Sequence, residues 1–311
     1  MTALDFVVIE RTTHVTPFGL GLWDGVAGAL VSDGIEVRVW TPSARGPHSP
    51  KTARANRADV FVAQDLQALR PFESGAGDAA FWATLPTPPT SFLVDVRDTR
   101  GRFTSFATTI DMPAPRGTVV PSCIDALFVP PNPPTSPVVR PAFVPIYSTA
   151  GCNAPAGMTA VRTRLMRDDG SGPAQYAVLE VRDRGRLIGR GVADERGEVA
   201  AIFAYPEPPD APASSPPASP LSPLSPPSSG PKQPLATQEW DVDISVFYGS
   251  TLRMVRNDPS RPALPDLCAL VSQPRATITS PAVALSPAKL RYGAELVLGD
   301  DRIATLFIHP G

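Results

Sequence analysis

Histidine and cysteine, the residues that most often supply catalytic bases and metal ligands, are few and widely spaced in this chain. The three histidines are His14, His48 and His309, and none has a partner at ligand spacing. Covalent catalysis needs a base held against a serine or cysteine, which three scattered histidines do not provide. A Gly-x-Ser-x-Gly elbow and a Gly-x-x-x-x-Gly-Lys phosphate loop are both absent. The sequence therefore predicts no catalytic residue, no cofactor and no enzyme activity.

The three cysteines, Cys123, Cys152 and Cys268, are far apart and odd in number. Zinc sites are typically built from closely spaced pairs such as Cys-x-x-Cys, and disulfide frameworks favour an even count. We therefore expect all three to be small apolar residues of the core or of loops, with no metal bound.

Three acidic pairs could in principle bind a cation: Asp168-Asp169, which precedes Gly170, then Asp194-Glu195 and Asp300-Asp301. The ligand spacing of a calcium loop is absent from all three. Turn formation therefore explains these pairs better than metal binding.

Aromatic residues offer one candidate contact surface. Phe81-Trp82 stands close to several prolines and could form such a surface, although core packing is the favoured interpretation. We expect Trp23 and Trp40 to lie in the core.

The elements that position these residues are predicted to be strands. Proline makes up 39 of the 311 residues, more than twice the usual share of about 5%. Because proline lacks an N–H and has a fixed φ, it interrupts helices and central strands. We therefore predict an all-β fold of two antiparallel β-sandwich domains, joined by a proline-rich extended connector, with few short helices.

The first predicted domain covers residues 1–112 and starts with an extended arm at 4–10. Apolar and polar residues alternate over 34–40 and again over 92–97, which is typical of strands with one buried face. A turn at 98–102 leads to a partner strand at 103–110, as in a β-hairpin.

Residues 113–156 form the predicted connector. Proline occupies 8 of the 25 positions from Pro121 to Pro145, which favours extended backbone. Nevertheless the stretch also holds many apolar residues, which a free linker would lack. We expect an ordered connector that is pinned to a domain or to a neighbouring subunit.

The second predicted domain covers residues 157–311. Its predicted strands are 158–166, 175–182, 187–192, 198–205, 239–248, 290–298 and 303–308. A short helix is expected at 265–271, with Asp266 as its N-cap. Residues 206–236 are rich in proline and serine and are predicted to be a disordered insert.

Two segments share a pattern that suggests related modules. Residues 55–62 resemble 193–200, because Asn56 and Asp194 each begin a turn that leads into an apolar strand. An alternating strand precedes each turn, and Val94 and Val242 mark similar strands downstream. Coincidence among β-sequences is the other interpretation.

Charge and hydropathy exclude two classes of partner. The net charge is −2 and the pI about 6.0, without the basic stripe of a nucleic-acid-binding protein. No segment has the ~20 apolar residues of a membrane span, and we infer no signal peptide. We expect a cytoplasmic protein that contacts neither nucleic acid nor membrane.

Part of the second domain resembles a known type of module. Residues 160–165, 177–181 and 191–199 are similar to carboxypeptidase-regulatory-like, transthyretin-type β-sandwiches. The resemblance implies a structural or binding unit.

Nearly the whole chain resembles cap adaptors, the cap-module proteins of phage-tail-like contractile injection systems. The similar segments are 21–24, 34–37, 78–83, 96–103, 193–197, 238–240 and 265–268. The resemblance implies a ring of six copies that bridges the sheath and inner tube to the cap, in a particle that is free or released by lysis.

The leading hypothesis is thus a structural adaptor that touches sheath, inner-tube and cap proteins. Its expected contact elements are the arm at 1–10, the connector and the strand at 303–308. A binding module for carbohydrate or another surface ligand is the alternative, and a planar row of exposed aromatic rings would favour it. An enzyme with an unrecognised site is the third and least favoured hypothesis.

Overall fold

The computed structural model describes residues 18–41, 50–69, 90–112, 123, 143–207, 237–280, 287–299 and 304–311. The described chain is almost entirely strand, with one short helix, so the predicted all-β class is confirmed. Two compact units make up the chain. The first contains residues 1–146 and 253–271, and the second contains 147–252 and 272–311.

The described strands between Phe18 and Ile146 form one eight-stranded sheet of the first unit. In chain order they are β1 (Phe18–Asp24), β2 (Ala29–Leu30), β3 (Ile35–Trp40), β4 (Lys51–Ala55), β5 (Val60–Ala63), β6 (Thr90–Asp98), β7 (Phe106–Met112) and β8 (Phe143–Ile146). The sheet order is β2-β1-β5-β4-β3-β6-β7, and β8 pairs with β1 in parallel. Alternating residues such as Leu20, Val39, Phe61 and Val94 point inward and form its core.

The second unit has two sheets that pack around their own core. Its first strands are β9 (Met158–Arg167), β10 (Val178–Asp183), β11 (Arg186–Val192), β12 (Glu198–Ala204) and β13 (Glu239–Phe247). The chain then contributes β14 (Met254–Val255), β15 (Leu264–Pro265) and helix α1 (Leu267–Val271) to the first unit. The chain then returns to the second unit, where it forms β16 (Thr277–Ser280), β17 (Ala288–Arg291), β18 (Leu296–Val297) and β19 (Thr305–His309).

The sheet orders of the second unit are β11-β10-β13-β17 and β12-β9-β19-β16, with β18 also paired to β9. Leu179, Val199, Trp240 and Leu306 belong to the core between them. The two units are therefore each a β-sandwich with a separate apolar core.

Most strands of the two units pair in the same way, although among the described residues β1–β2 and β4–β5 pair only in the first unit and β16–β19 and β18–β9 only in the second. In the first unit β1 pairs with β5, β3 with β4 and β6, and β6 with β7, all antiparallel. In the second, β9 pairs with β12, β10 with β11 and β13, and β13 with β17, again antiparallel. The last strand runs parallel to the first in each unit, β8 beside β1 and β19 beside β9.

The register also agrees between the units. Gly21 lies opposite Val60 on one side and Phe143 on the other. Its counterpart Arg164 lies opposite Glu198 and Thr305, which stand at the matching positions. A one-residue slip would exchange the two faces of a strand, so the agreement indicates the same inward and outward positions in both sandwiches.

The similarity of residues 55–62 and 193–200 extends to their hydrogen bonds. The Asn56 side chain accepts from the N–H groups of Ala58 (2.8 Å) and Val60 (3.1 Å). The Asp194 side chain accepts from the N–H groups of Arg196 (2.8 Å) and Glu198 (2.9 Å). Together with the shared pairing, this favours two related modules over coincidence.

The division of the chain differs from the predicted domains in two respects. The strand β8 and residue 123 belong to the first unit, although both fall within the predicted connector. Residues 253–271 also belong to the first unit, although the sequence assigns them to the second domain. The predicted strand at 290–298 is wrong as a single strand, because a turn with Gly293 at φ 77° separates β17 from β18.

Candidate functional site

Residues 253–271, which we call the docked segment, complete the first unit from a distant part of the sequence. They form the hairpin β14–β15 and helix α1. Leu264, Leu267 and Leu270 are buried, and Leu267 belongs to the core of the first unit. The segment is therefore an integral part of this sandwich.

The outer face of β3 and β6 carries the charges that meet the docked segment. The valines of these strands point into the core, so the alternation places Glu36 and Arg38 on the opposite face of β3. Asp95 and Arg97 take the same face of β6, where Arg38 lies opposite Asp95 and Glu36 opposite Arg97. Such cross-strand pairs of opposite charge stabilise a sheet modestly.

Two charged residues of the docked segment extend this pattern into a network. Arg261 Nη1 lies 2.6 Å from Glu36 Oε2, and Arg38 Nη1 lies 3.2 Å from Asp258 Oδ2. Arg38 Nε also lies 2.7 Å from Glu36 Oε1. The hydrogen bond from Arg261 lowers the pKa of Glu36, with Arg38 acting in the same direction against the effect of burial.

Polar contacts fix the docked segment over β6 as well. Asn257 Nδ2 donates to Asp95 Oδ1 at 2.6 Å, and Arg97 Nη2 donates to the carbonyl oxygen of Pro262 at 2.7 Å. Asp95 is only 3% exposed, and this burial raises its pKa although Asn257, Arg97 and Arg38 oppose the shift. The network contains three carboxyl groups (Glu36, Asp95 and Asp258) and three guanidinium groups (Arg38, Arg97 and Arg261), so its formal charges cancel.

Helix α1 ends the docked segment with a cap and a covalent bond. Asp266 Oδ1 accepts from the N–H of Ala269 at 3.0 Å, which confirms the predicted N-cap. Cys268 forms a disulfide with Cys123 across 145 residues of sequence. The expectation that all three cysteines are small apolar residues is therefore wrong for this pair, because docking brings the helix beside residue 123.

The second unit has a comparable polar cluster at the matching strand. Glu180 on β10 is only 4% exposed, lies 2.8 Å from Arg182 Nη2 and also pairs with Arg190 on β11. Burial alone acts to raise the pKa of Glu180, but the hydrogen bonds and charges of the two arginines together lower it. Burial also raises the pKa of the nearby Tyr147 phenol.

Arg162 on β9 binds the end of the connector. Its guanidinium donates to the carbonyl oxygens of Ala150 and Cys152, and its Nε lies 2.8 Å from Glu295 Oε2. The β8 residues pair with β1 further upstream. The described part of the predicted connector is thus ordered and held by each unit in turn.

A depression of about 230 Å³ on the second unit carries an aromatic stack. Tyr292 packs on Tyr205 with ring centroids 4.8 Å apart, and Tyr205 packs on Trp240 at 5.5 Å. Trp240 is buried, whereas Tyr292 is 38% exposed. Thr159 and Glu295 also line this depression, which we call the aromatic groove. No local sequence pattern predicts this groove, because its three rings come from separate strands and turns.

The structure places most of the acidic residues considered from sequence in turns. Asp169 Oδ1 accepts from the N–H of Ser171 at 2.9 Å, and hydrogen bonds from Ser171 lower the pKa of Asp169 to about 2. His309 Nδ1 lies 3.2 Å from Asp168 Oδ1 at an exposed position. Trp40 lies in the core as expected, while Trp23 is half-buried and stacks on Phe143.

Several of the residues singled out from the sequence lie outside the described ranges. They are His14, His48, Phe81-Trp82, Asp300-Asp301, the arm at 1–10 and nearly all of the insert at 206–236. Within the described ranges, no group of three metal-ligating side chains comes together, and no helix is long and apolar enough to cross a membrane. No family model matches the chain, and neither a characterised protein nor a solved structure shows significant similarity to it.

Proposed function

We propose that this chain is a structural adaptor in the cap module of a contractile injection system, where it bridges the terminal sheath and inner-tube layer to the cap. The proposal rests on one observation: the charged side chains of this protein bind extended segments of its own chain. Glu36, Arg38, Asp95 and Arg97 bind the docked segment, and Arg162 binds the connector. Side chains that hold extended segments in place are what an assembly protein requires.

The C-terminal strand supports the proposal as a contact element. Phe307 on β19 is 40% exposed and Val297 on β18 is 56% exposed, both on the outward side of strands paired to β9. Their neighbours on β9, Arg162 and Met166, are four residues apart, so both apolar side chains lie along the same side of this strand, where a partner could cover them. The Cys123–Cys268 bond suits a particle released by lysis, because disulfides persist in oxidising surroundings.

The alternative is a β-sandwich module that binds carbohydrate or another surface ligand. Among the described residues, Tyr292 is the exposed ring of the aromatic groove, while Trp240 at the other end of the stack is buried. The polar side chains beside it are already engaged, since Thr159 donates to the carbonyl oxygen of Ala294 and Glu295 pairs with Arg162. A sugar would find few free hydrogen-bonding groups, so we favour the adaptor.

Co-sedimentation with the sheath and inner-tube proteins of a contractile injection system tests the proposal. We expect the chain to pellet with assembled sheath and tube, and Phe307→Ser to reduce the pelleted fraction. Met254→Ser, which alters an equally exposed apolar residue of the first unit, is the matched control. A chain that stays in the supernatant with both proteins, or that binds an oligosaccharide array instead, contradicts the adaptor.

A further inference from the structure

The disulfide of the docked segment lies at the edge of the core of the first unit. Leu267 and Leu270 of helix α1 are at most 2% exposed, whereas Cys268 between them is half-buried. Its partner Cys123 is also half-buried and packs against the same core. The rate at which small thiols and disulfides exchange with a bridge depends on access, and this bridge is accessible from one side.

Non-covalent contacts of the docked segment position Cys268 independently of the bond. Leu267 occupies the core of the first unit, and Asp266 forms an isolated parallel bridge with Ala107 of β7. The segment is also bound through Arg261, which pairs with Glu36. The bond thus joins two parts of the chain that other contacts already hold together.

Part of this attachment is electrostatic and only partly buried. The side chains of Arg261 and Glu36 are 28% and 25% exposed, and those of Arg38 and Asp258 are 22% and 16% exposed. Ion pairs at such positions are weak and are screened by salt. Without the bond, the hold on the docked segment therefore depends on ionic strength.

The third cysteine does not compete for the bridge within the first unit. Cys152 belongs to the second unit, where its carbonyl oxygen accepts from Arg162 and its sulfur lies 3.6 Å from Thr149 Oγ1. The first unit contains two of the three cysteines of the chain, so its thiols can close one bridge alone.

We propose that the Cys123–Cys268 bond is a redox switch of docking. It closes on residues 253–271 after they have docked, and it prevents them from opening again. In the dithiol form the segment opens and closes on β3 and β6, while in the disulfide form it keeps them covered. Thiols persist in reducing compartments and disulfides in oxidising ones, so passage from one to the other operates the switch. The proposal does not rest on the cap assignment, because it concerns the chain alone.

The closing step is thiol–disulfide exchange with a small disulfide such as glutathione disulfide. One protein thiolate attacks a sulfur of glutathione disulfide, which forms a mixed disulfide and releases one glutathione. The second protein thiolate then displaces the other glutathione. In total the two protein thiols lose two electrons and two protons, and glutathione disulfide is reduced to two molecules of glutathione.

Equilibration in glutathione buffers tests whether docking precedes the bond. The full chain with Cys152→Ser leaves Cys123 and Cys268 as its only thiols, and alkylation followed by mass spectrometry measures the bridged fraction. We expect the equilibrium constant for bridge formation to be at least about a hundredfold larger in the native chain than in urea, because docking raises the effective concentration of one thiol near the other.

A pair of arginine variants tests whether the charged network contributes to this docking. Arg261→Ala should lower the native constant about threefold to fivefold, the size expected of a half-exposed ion pair. Arg256→Ala, at an exposed arginine of the same segment, is the matched control and should leave the constant unchanged. High salt should lower the wild-type constant toward that of Arg261→Ala. Far-ultraviolet circular dichroism checks that each variant is folded.

Hydrogen exchange tests whether the bond prevents opening of this particular segment. The N–H of Asp266 donates to the carbonyl oxygen of Arg253, and the N–H of Leu270 donates to that of Asp266. A five-residue helix is not stable once undocked, so both amides report opening. In the reduced chain we expect them to exchange at least about tenfold faster than the amides of β1, and in the oxidised chain at comparable rates.

Four results would each overturn the proposal. Equal bridging constants in the native and the urea-unfolded chain would show that docking does not precede the bond. Equal effects of Arg261→Ala and Arg256→Ala would remove the charged network from docking. On reduction, uniform acceleration of exchange across the first unit would identify the bond as a general stabiliser. A native bridge that resists excess reduced glutathione would show that it does not switch.

Discussion

The two sandwiches share the pairing and the register of most of their strands but cover matching strands differently. Glu36 and Arg38 on β3 correspond to Glu180 and Arg182 on β10, since Arg38 lies opposite Asp95 and Arg182 opposite Asp243. In the first unit a segment more than 200 residues away along the chain covers these charges. In the second unit a neighbouring strand supplies Arg190 to Glu180.

The comparison shows that outward polar positions on a central strand must find partners, and that the partners need not be local. Buried charges are tolerated when they are paired and hydrogen-bonded. Glu180 meets this requirement within a hairpin, since β10 and β11 are adjacent. Glu36 meets it through Arg261 and the docked segment. One topology can therefore accept an extra segment without a change of strand order.

The largest expected effect follows from cutting the covalent attachment of the docked segment. Cys268→Ala should lower the free energy of unfolding of the first unit by about 3–4 kcal/mol, because the bond closes a long loop in the unfolded chain. Hydrogen exchange of peptides from β3 and β6 measures the loss, with β10 and β13 as internal reference. Cys152→Ser, which alters the cysteine outside the bridge, is the control.

An equal loss of protection in both units would show that residues 253–271 stabilise the whole chain rather than the first sandwich. No loss in either unit would show that the bridge is dispensable. Either result would remove the distinction drawn between the two units.

Neutralising the matching glutamates should reveal how differently they are buried. Glu180→Gln should lower the unfolding free energy of the second unit by about 3 kcal/mol, because it leaves Arg182 and Arg190 without their carboxylate. Glu36→Gln should cost the first unit only about 1 kcal/mol, since its side chain is 25% exposed and Arg38 keeps Asp258. Chemical denaturation, monitored by hydrogen exchange in peptides from each unit, measures the two losses of unfolding free energy separately. Equal losses would contradict the difference in burial.

Exchanging the left-handed residues of the two Asx turns should have unequal effects. Gly197 has φ 77° and a Cβ there would lie 2.2 Å from the carbonyl oxygen of Leu165, so Gly197→Asp should cost about 2 kcal/mol. Asp59 has φ 57° at the matching position, and Asp59→Gly should be nearly neutral, as relief of strain offsets the lost bond from Ser32. Thermal unfolding of both variants measures the asymmetry, and a costly Asp59→Gly would contradict it.

The smallest expected effect concerns pH. Burial raises the pKa of Asp95 above its ordinary 3.8, so its ionised form is disfavoured in the folded state. Its contribution to the unfolding free energy is most favourable at low pH and decreases as pH rises from about 3.8 through the folded-state pKa. Asp95→Asn should therefore slightly stabilise the first unit at pH 7 and remove this part of the pH dependence. Asp111→Asn, at an exposed carboxyl of β7, is the control.

Glu180 should respond to pH with the opposite sign. Its pKa lies below the ordinary 4.5, so its contribution is present above that pH and is lost as the pH falls through the folded-state pKa. Acid titration should thus weaken the second unit less in Glu180→Gln, where Asp169 still responds in the same direction, than in the wild type. Parallel acid profiles for the two proteins would contradict the ion pairs of Glu180.

Local patterns in the sequence were sufficient to predict most of the strands. Alternation predicts β3, β6, β9 and β13 to within a few residues. The N-cap of Asp266 and the turns at Asn56 and Asp194 also follow from side chains that bond the backbone within four residues. Interactions over such short distances leave a pattern in neighbouring residues.

Interactions between distant residues left no such pattern. Arg261 and Glu36 are 225 positions apart, and the two bridged cysteines are 145 apart. The prolines around β8 kept it from being predicted as a strand. Pro145 fits there because, among the described strands, β8 pairs only with β1 and so lies at an edge where a missing N–H is tolerated. The charged network and the aromatic groove therefore could not be predicted from the sequence, because their residues are far apart along the chain.

Membership of residues 253–271 in the first sandwich has a consequence for synthesis on the ribosome. When Ile146 has been translated, the N-terminal sandwich still lacks Leu267 from its core and Cys268 for its bridge. At about 5–20 residues per second, the missing part emerges some ten seconds later. During that interval the nascent N-terminal half keeps part of its apolar core exposed to solvent. A gene fragment that stops at residue 146 would therefore encode an incompletely folded protein.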